Sequence, residues 1–149
     1  MNPSIIIKPR IMDAIYRHAL SEFPREACGI VIGKKGKLES FEQIFPCRNL
    51  QNEMHAKDPE KFPRTAETAY FLDPNDLFRI QKIARNLNME MKTIYHSHVN
   101  VGAYFSEEDK KQPRKRRQRQ QHQHRMLTCC GDSCALGDWS NTLVSSLQE

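Results

Sequence analysis

The order of elements predicts a mixed α/β domain with helices packed on a sheet. Three observations lead there: a helical apolar period near the start, a continuous apolar run directly after it, and a later strand, helix and strand in succession. At 149 residues and 17.4 kDa the chain holds one domain at most, long enough to bury one core.

From Lys8 to Phe23, Ile11, Ile15, Ala19 and Phe23 recur every four residues, and Pro9 is a residue type suited to a first helical turn. Ala27 to Ile32 reads as a buried strand. Gly33-Lys34-Lys35-Gly36 then gives a turn and Leu38 to Phe45 a returning strand, so the pair forms a hairpin. Residues 47 to 67 are polar, contain Pro59 and Pro63, and show no sustained period, which predicts a long loop. Thr68 to Leu72 reads as a short strand. Asp73 or Asn75 then caps a helix whose apolar face is Leu77, Ile80, Ile83, Ala84 and Leu87. Met89 to His98 is the next strand, and it carries two histidines to its end.

Composition excludes several classes. Hydrophobic residues make up 38%, and no run approaches the roughly 20 apolar residues needed to span a bilayer. Met1 to Lys8 offers only Ile5-Ile6-Ile7, which is no signal-peptide core, so the expected location is the cytoplasm, without membrane association. Five cysteines, at 28, 47, 129, 130 and 134, are an odd and uneven set that argues against a disulfide framework. Cys28 lies in an apolar run and is expected in the core. Cys129, Cys130 and Cys134 lack the second pair that a four-ligand site needs. The net charge of +5 is confined to the tail: residues 1–109 hold 15 basic and 15 acidic side chains, residues 110–149 hold 8 and 3.

Chemistry concentrates in Tyr95-His96-Ser97-His98, followed after seven residues by Ser106 and three later by Asp109. On an extended segment residues i and i+2 share a face, so the rings of His96 and His98 can converge on one ion, with Asp109 as a third, anionic ligand. Two neutral nitrogens and a carboxylate suit Zn2+ with one tetrahedral position left open for water, the layout of a hydrolytic site. Zinc so held lowers the pKa of its water from about 16 toward 7. Each residue also has a plainer reading. Ser106-Glu107-Glu108-Asp109 fits a helix N-terminus, and His-x-His at a strand end is commonly a polar surface pair. His18 and His55 are expected on solvated surface, and His122 and His124, among Gln and Arg without a carboxylate nearby, are rejected as ligands.

The spacing His-x-His, seven residues, Ser-x-x-Asp resembles the JAMM signature of the MPN metallohydrolases. A second match lies upstream, where Phe23-Pro24-Arg25-Glu26-Ala27-Cys28-Gly29 resembles the family segment ending in Glu-x-Cys-Gly. The resemblance covers Ile5 to about Lys111 and is strongest for the small bacterial members. It implies an MPN-like (cytidine-deaminase-like) fold: a curved mixed sheet, mostly antiparallel, flanked by helices, with the metal at the sheet edge. It also implies a zinc-dependent peptidase or isopeptidase acting next to the C-terminus of a ubiquitin-like or sulfur-carrier protein. Glu26 takes the family's catalytic glutamate position, to accept a proton from the attacking water and pass it to the leaving amine. Ser106 would donate a hydrogen bond to the oxyanion. Val99 departs from the pattern, since small bacterial relatives commonly have proline after the second histidine; the difference concerns loop rigidity, not metal affinity.

After Lys111 the likeness stops. Residues 1–111 therefore read as a truncated metallohydrolase domain. Residues 112–149 read as a basic, low-complexity and irregular tail in which the family's next apolar strand is missing and the C-terminal portion of the fold is incomplete. With suitable codons, His124 to Cys130 read in a shifted frame can spell a segment like that strand, so the tail is taken as out of frame. Two other readings compete: a non-catalytic MPN-like scaffold or inactive fragment, and nucleic-acid binding through Lys110 to Arg125. The second carries little weight, because charge runs of this kind are usually solvated tails.

Overall fold

A computed structural model describes residues 7–99, 125–130, 133–138 and 145–146. Its elements are α1 (Pro9–Glu22), β1 (Cys28–Lys34), β2 (Gln43–Cys47), α2 (Gln51–Lys57), α3 (Pro74–Asn86), β3 (Met89–Ser97), β4 (Arg125–Cys130), β5 (Ser133–Asp138) and β6 (Ser145–Ser146). The strands form one mixed sheet in the order β2-β1-β3-β4-β5-β6, antiparallel at every pairing except β3 with β4. This is the expected mixed, mostly antiparallel sheet flanked by helices.

The apolar run of β1 is explained by helices on both of its faces. On one, Val31 and Tyr95 pack with Ile7, Ile11 and Ile15 from the α1 side and with Phe41. On the other, Cys28, Ile30, Ile32 and Ile94 pack with Ile80 and Ala84 of α3 and with Tyr70 and Leu72. A strand buried on both sides shows no alternation of polar and apolar residues. Both helices present narrower faces than their periodicity predicts. In α1 Ile11 and Ile15 are buried but Phe23, just past its end, is exposed; in α3 Ile80 and Ala84 are buried and Leu87 is exposed. Asp73 caps α3 as expected, its Oδ1 accepting from the Asn75 N–H at 2.8 Å.

The hairpin forms, with a later second strand than the sequence indicates. A Cβ on Gly33 would lie 1.7 Å from the carbonyl oxygen of Ser40, so residues 37–40 fold directly over the end of β1 before the chain turns into β2. Ser40 Oγ accepts from the Lys34 N–H at 2.8 Å, and the buried Lys92 Nζ donates to the Lys37 carbonyl at 2.8 Å, which fixes the crossing.

The expected long loop contains α2. Its order comes from polar side chains bonding backbone rather than from an apolar period. Gln51 Nε2 donates to the Arg64 carbonyl at 2.8 Å, Asn52 Oδ1 accepts from the Ala66 N–H at 2.8 Å, and His55 Nδ1 lies 2.7 Å from the Phe62 carbonyl. His55 is therefore a half-buried structural residue, not solvated surface. The short strand expected at Thr68 to Leu72 is reduced to one bridge between Asn49 and Leu72. A side chain takes the place of a partner strand there: Asn49 bonds the Ala69 carbonyl and the Phe71 N–H.

Beyond Lys111, where the sequence shows no clean period, β4 pairs in parallel with β3 from Thr93↔Arg125 to Ser97↔Cys129, and β5 pairs antiparallel with β4. On the side of β3 away from β1 the ladder thus continues into a neighbouring strand. Ladder pairing engages backbone groups and so needs no alternation in the sequence. Among the described residues no helix is long and apolar enough to cross a membrane.

Candidate metal and proton-transfer site

Pairing of β1 with β3 builds the site. Cys28 lies opposite His96, and the register continues one step, the Ser97 N–H donating to the Ala27 carbonyl at 3.0 Å. Glu26 and His98 are the next residues beyond these two strand ends. Because side chains alternate, Glu26, Cys28, His96 and His98 belong to one face of the sheet, the face that carries Ile30 and Ile94 into the α3 core. Residues 70 apart in sequence meet because two strands share one register.

Ser97 closes this junction. Its Oγ accepts from the Ala27 N–H at 2.9 Å, so a side chain supplies the bond that a ladder carbonyl would otherwise make. The strand thus ends without leaving the Ala27 amide unsatisfied, and His98 is already outside β3.

Both imidazoles are buried, His96 at 1% and His98 at 8% exposure, and their Nε2 atoms lie 3.1 Å apart. As a hydrogen bond this contact requires one ring to donate and the other to accept. As a ligand pair it requires both nitrogens unprotonated around an ion, and tetrahedral zinc with bonds of about 2.0–2.1 Å sets such nitrogens about 3.3–3.4 Å apart. The observed spacing fits the zinc arrangement with little movement. Tyr70, itself buried, stacks on His96 with centroids 4.6 Å apart and planes inclined by 22°, which restrains the imidazole's plane.

Glu26 is 4% exposed. Its backbone is held from the side opposite β3: its N–H donates to the Ala66 carbonyl at 2.7 Å and its carbonyl accepts from Asn49 Nδ2 at 2.9 Å. The structure therefore brings Glu26, His96 and His98 to one end of β1 and β3. Ser106 and Asp109 lie outside the described residues, as do His122, His124 and the basic run from Lys110 to His124. Among the described residues no three His, Cys, Asp or Glu side chains gather as a metal site.

Cys28 is buried in the core as expected. Burial pushes its thiol well above the ordinary range, with Cys47 and nearby carboxylates adding to the effect, so it is no nucleophile. His18, expected on solvated surface, is half-buried on the other face of the sheet, with Nδ1 2.8 Å from the Tyr95 hydroxyl. Desolvation lowers the pKa of His18, against a smaller opposing effect of Glu22, and raises that of Tyr95. Both shifts favour the neutral forms, and the imidazole tautomer sets which of the two groups donates.

Periodicity and motif spacing miss Asn49, Tyr70 and Ser97. Asn49 had one local signal: an Asn just before a helix, whose side chain accepts from the N–H two residues on, here Gln51 at 3.0 Å. The other two contacts span the fold and leave no local trace.

Comparison with known proteins places these features in a family. The chain is 33% identical over 106 residues to tail tip assembly protein K of Escherichia phage N15, a region making up 71% of this chain and 35% of the phage protein. It is 26% identical over 107 residues to the CysO-cysteine peptidase of Mycobacterium tuberculosis, covering 72% of this chain and 64% of that enzyme. The chain thus spans about a third of one relative and under two thirds of the other. The solution structure of a protein from Desulfitobacterium hafniense superposes with a TM-score of 0.64 at 20% identity, covering 93% of this chain and 87% of that one, a likeness of fold. A family model described as prokaryotic homologs of the JAB domain matches residues 8–132, a span that takes in β4. The chain belongs to the prokaryotic homologs of the JAB domain.

Proposed function

We propose that this protein is a zinc-dependent peptidase or isopeptidase of the JAMM type, cleaving an amide bond next to the C-terminus of a ubiquitin-like or sulfur-carrier protein in the cytoplasm. The observation that carries the reading is the convergence of the His96 and His98 Nε2 atoms, 3.1 Å apart, at the strand end beyond which Glu26 immediately precedes β1. The similarity to a CysO-cysteine peptidase supports the substrate class.

In this reading His96, His98 and Asp109 hold the ion. Zinc, when bound, supplies a Lewis acid and a water acidified enough to attack at neutral pH. Glu26 takes the proton from the attacking water and delivers it to the departing amine, a double role suited to a carboxylate held away from bulk solvent. Ser106 donates a hydrogen bond to the oxyanion of the tetrahedral intermediate, a contribution of about 2.7–4 kcal/mol for donors of this kind. The reading takes residues 1–111 as the metallohydrolase domain and residues 112–149 as an out-of-frame tail. Sequencing the gene tests that division: a frame intact upstream, with no relative-like strand in either alternative frame, refutes it.

The direct test is Glu26→Gln. The variant is expected to keep the parent's zinc content by elemental analysis while losing turnover. Hydrolysis at the parent rate would show that the glutamate is not the base.

A second reading is favoured by the 33% identity to a phage tail tip assembly protein: a domain of a tail assembly protein, either non-catalytic or acting on a different amide. Zinc content together with cleavage of a carrier extended at its C-terminus separates the two. Zinc-loaded protein that leaves the carrier intact favours the phage-like role.

A further inference from the structure

One half-buried side chain outside the motifs joins three segments around the site. The amide of Asn49 makes four hydrogen bonds to backbone groups. Nδ2 donates to the Glu26 carbonyl at 2.9 Å and to the Ala69 carbonyl at 3.1 Å, while Oδ1 accepts from the N–H groups of Gln51 and Phe71, each at 3.0 Å. These are all the contacts the group can make, since an amide offers two N–H donors and its oxygen two lone pairs.

The partners are informative. Glu26 precedes β1 and lies outside its ladder. Its backbone is tied to the segment 49–71, its N–H to the Ala66 carbonyl and its carbonyl to Asn49. Between Ala69 and Phe71 lies Tyr70, which stacks on His96. One amide thus holds the glutamate's backbone against the segment whose aromatic ring backs a histidine of the site. The histidines themselves stand on or beside β3, whose ladder with β1 does not involve Asn49.

We propose that Asn49 is a positioning residue of the reaction, setting where the Glu26 carboxylate stands relative to His96 and His98. This rests on the role assigned to Glu26 above. A displacement of a catalytic group by about 1 Å can cost about 100-fold in rate. Loss of the Asn49 donors is therefore expected to lower kcat by about that factor, with metal binding retained.

Asn49→Asp and Asn49→Ala test this. Aspartate keeps an acceptor for Gln51 and Phe71 but places an oxygen against the Glu26 and Ala69 carbonyls, so it removes only the donor half. The probes are Co2+, followed by stoichiometry and visible absorption, and a ubiquitin-like carrier extended by one amino acid at its C-terminus. Both variants should lose about 100-fold in kcat, with KM within about twofold of the parent and an unchanged cobalt spectrum and content. Parent-rate turnover by Asn49→Asp overturns the proposal, and so does loss of cobalt in proportion to activity, which would make Asn49 a general support of the fold. Glu26→Gln, assayed alongside, separates the two levels. If it is inactive while Asn49→Asp is fully active, only the Asn49 inference fails. If it turns over at the parent rate, or the parent does not cleave the carrier, the reading beneath it fails as well.

Discussion

Gly29→Ala should be among the most damaging single-methyl additions in this fold. Gly29 is the second residue of β1, paired with Pro46 on one side and Tyr95 on the other, so its backbone cannot retreat without disturbing two ladders. A Cβ there would sit 2.4 Å from both Cζ and the hydroxyl oxygen of Tyr95 and 2.5 Å from Cε1. The ring has little freedom to yield. Tyr95 is 1% exposed, packs with α1 and Val31, and bonds His18 at its far end. Overpacking of this kind costs about 1–3 kcal/mol, and losing the Tyr95–His18 hydrogen bond adds about 0.5–1.5 kcal/mol, so a loss of about 1.5–4.5 kcal/mol is expected. Urea unfolding of parent and variant, followed by circular dichroism, measures it. The same substitution in a Tyr95→Leu background should cost little, because the obstructing ring is gone. A Gly29→Ala protein within about 0.5 kcal/mol of the parent, or one equally destabilised in both backgrounds, would refute the reasoning.

Two further outcomes follow from buried titratable groups. Burial lowers the pKa of His18 below the ordinary imidazole value of 6.5, so the folded state binds fewer protons than the unfolded state. The associated stability is fully present above 6.5 and is lost as pH falls through the folded-state pKa. Denaturant midpoints should therefore drop on acidification below 6.5 with a slope that His18→Gln reduces; an unchanged slope removes His18 as the cause. Burial also pushes the Cys47 thiol up to about 12 and that of Cys28 well above the usual range. Iodoacetamide at pH near 8, read by peptide mass spectrometry, should leave both unmodified until the protein is unfolded; rapid native labelling of either would contradict their burial.

The sequence made legible what repeats locally or matches at fixed spacing. The helices at Pro9–Glu22 and Pro74–Asn86, the strands through Ile30 and Ile94, and the two histidines at a strand end could all be read from it. What could not be read depends on contacts between distant segments. The helix at Gln51–Lys57 is organised by Gln51, Asn52 and His55 bonding backbone 7 to 14 residues away, and polar residues of that kind leave no hydrophobic period. His18 looks like a surface residue until Tyr95 is set beneath it. In the site, Glu26 and the histidines were found by motif, whereas Asn49 and Tyr70 matter through partners that only the folded chain supplies. The strand at Arg125–Cys130 joins the sheet through its backbone, which composition does not encode.

The latch between Ala27 and Ser97 spans 70 residues of sequence. Closing a loop of that length costs about 4 kcal/mol of chain entropy, repaid only when the long-range ladder zips. Glu26 and the imidazoles therefore come to the same end of the sheet as a product of tertiary folding, with no local precursor. By mass action, any small molecule that clasps both strand ends should raise the melting temperature, so a thermal-shift screen would report ligands of this end of the sheet.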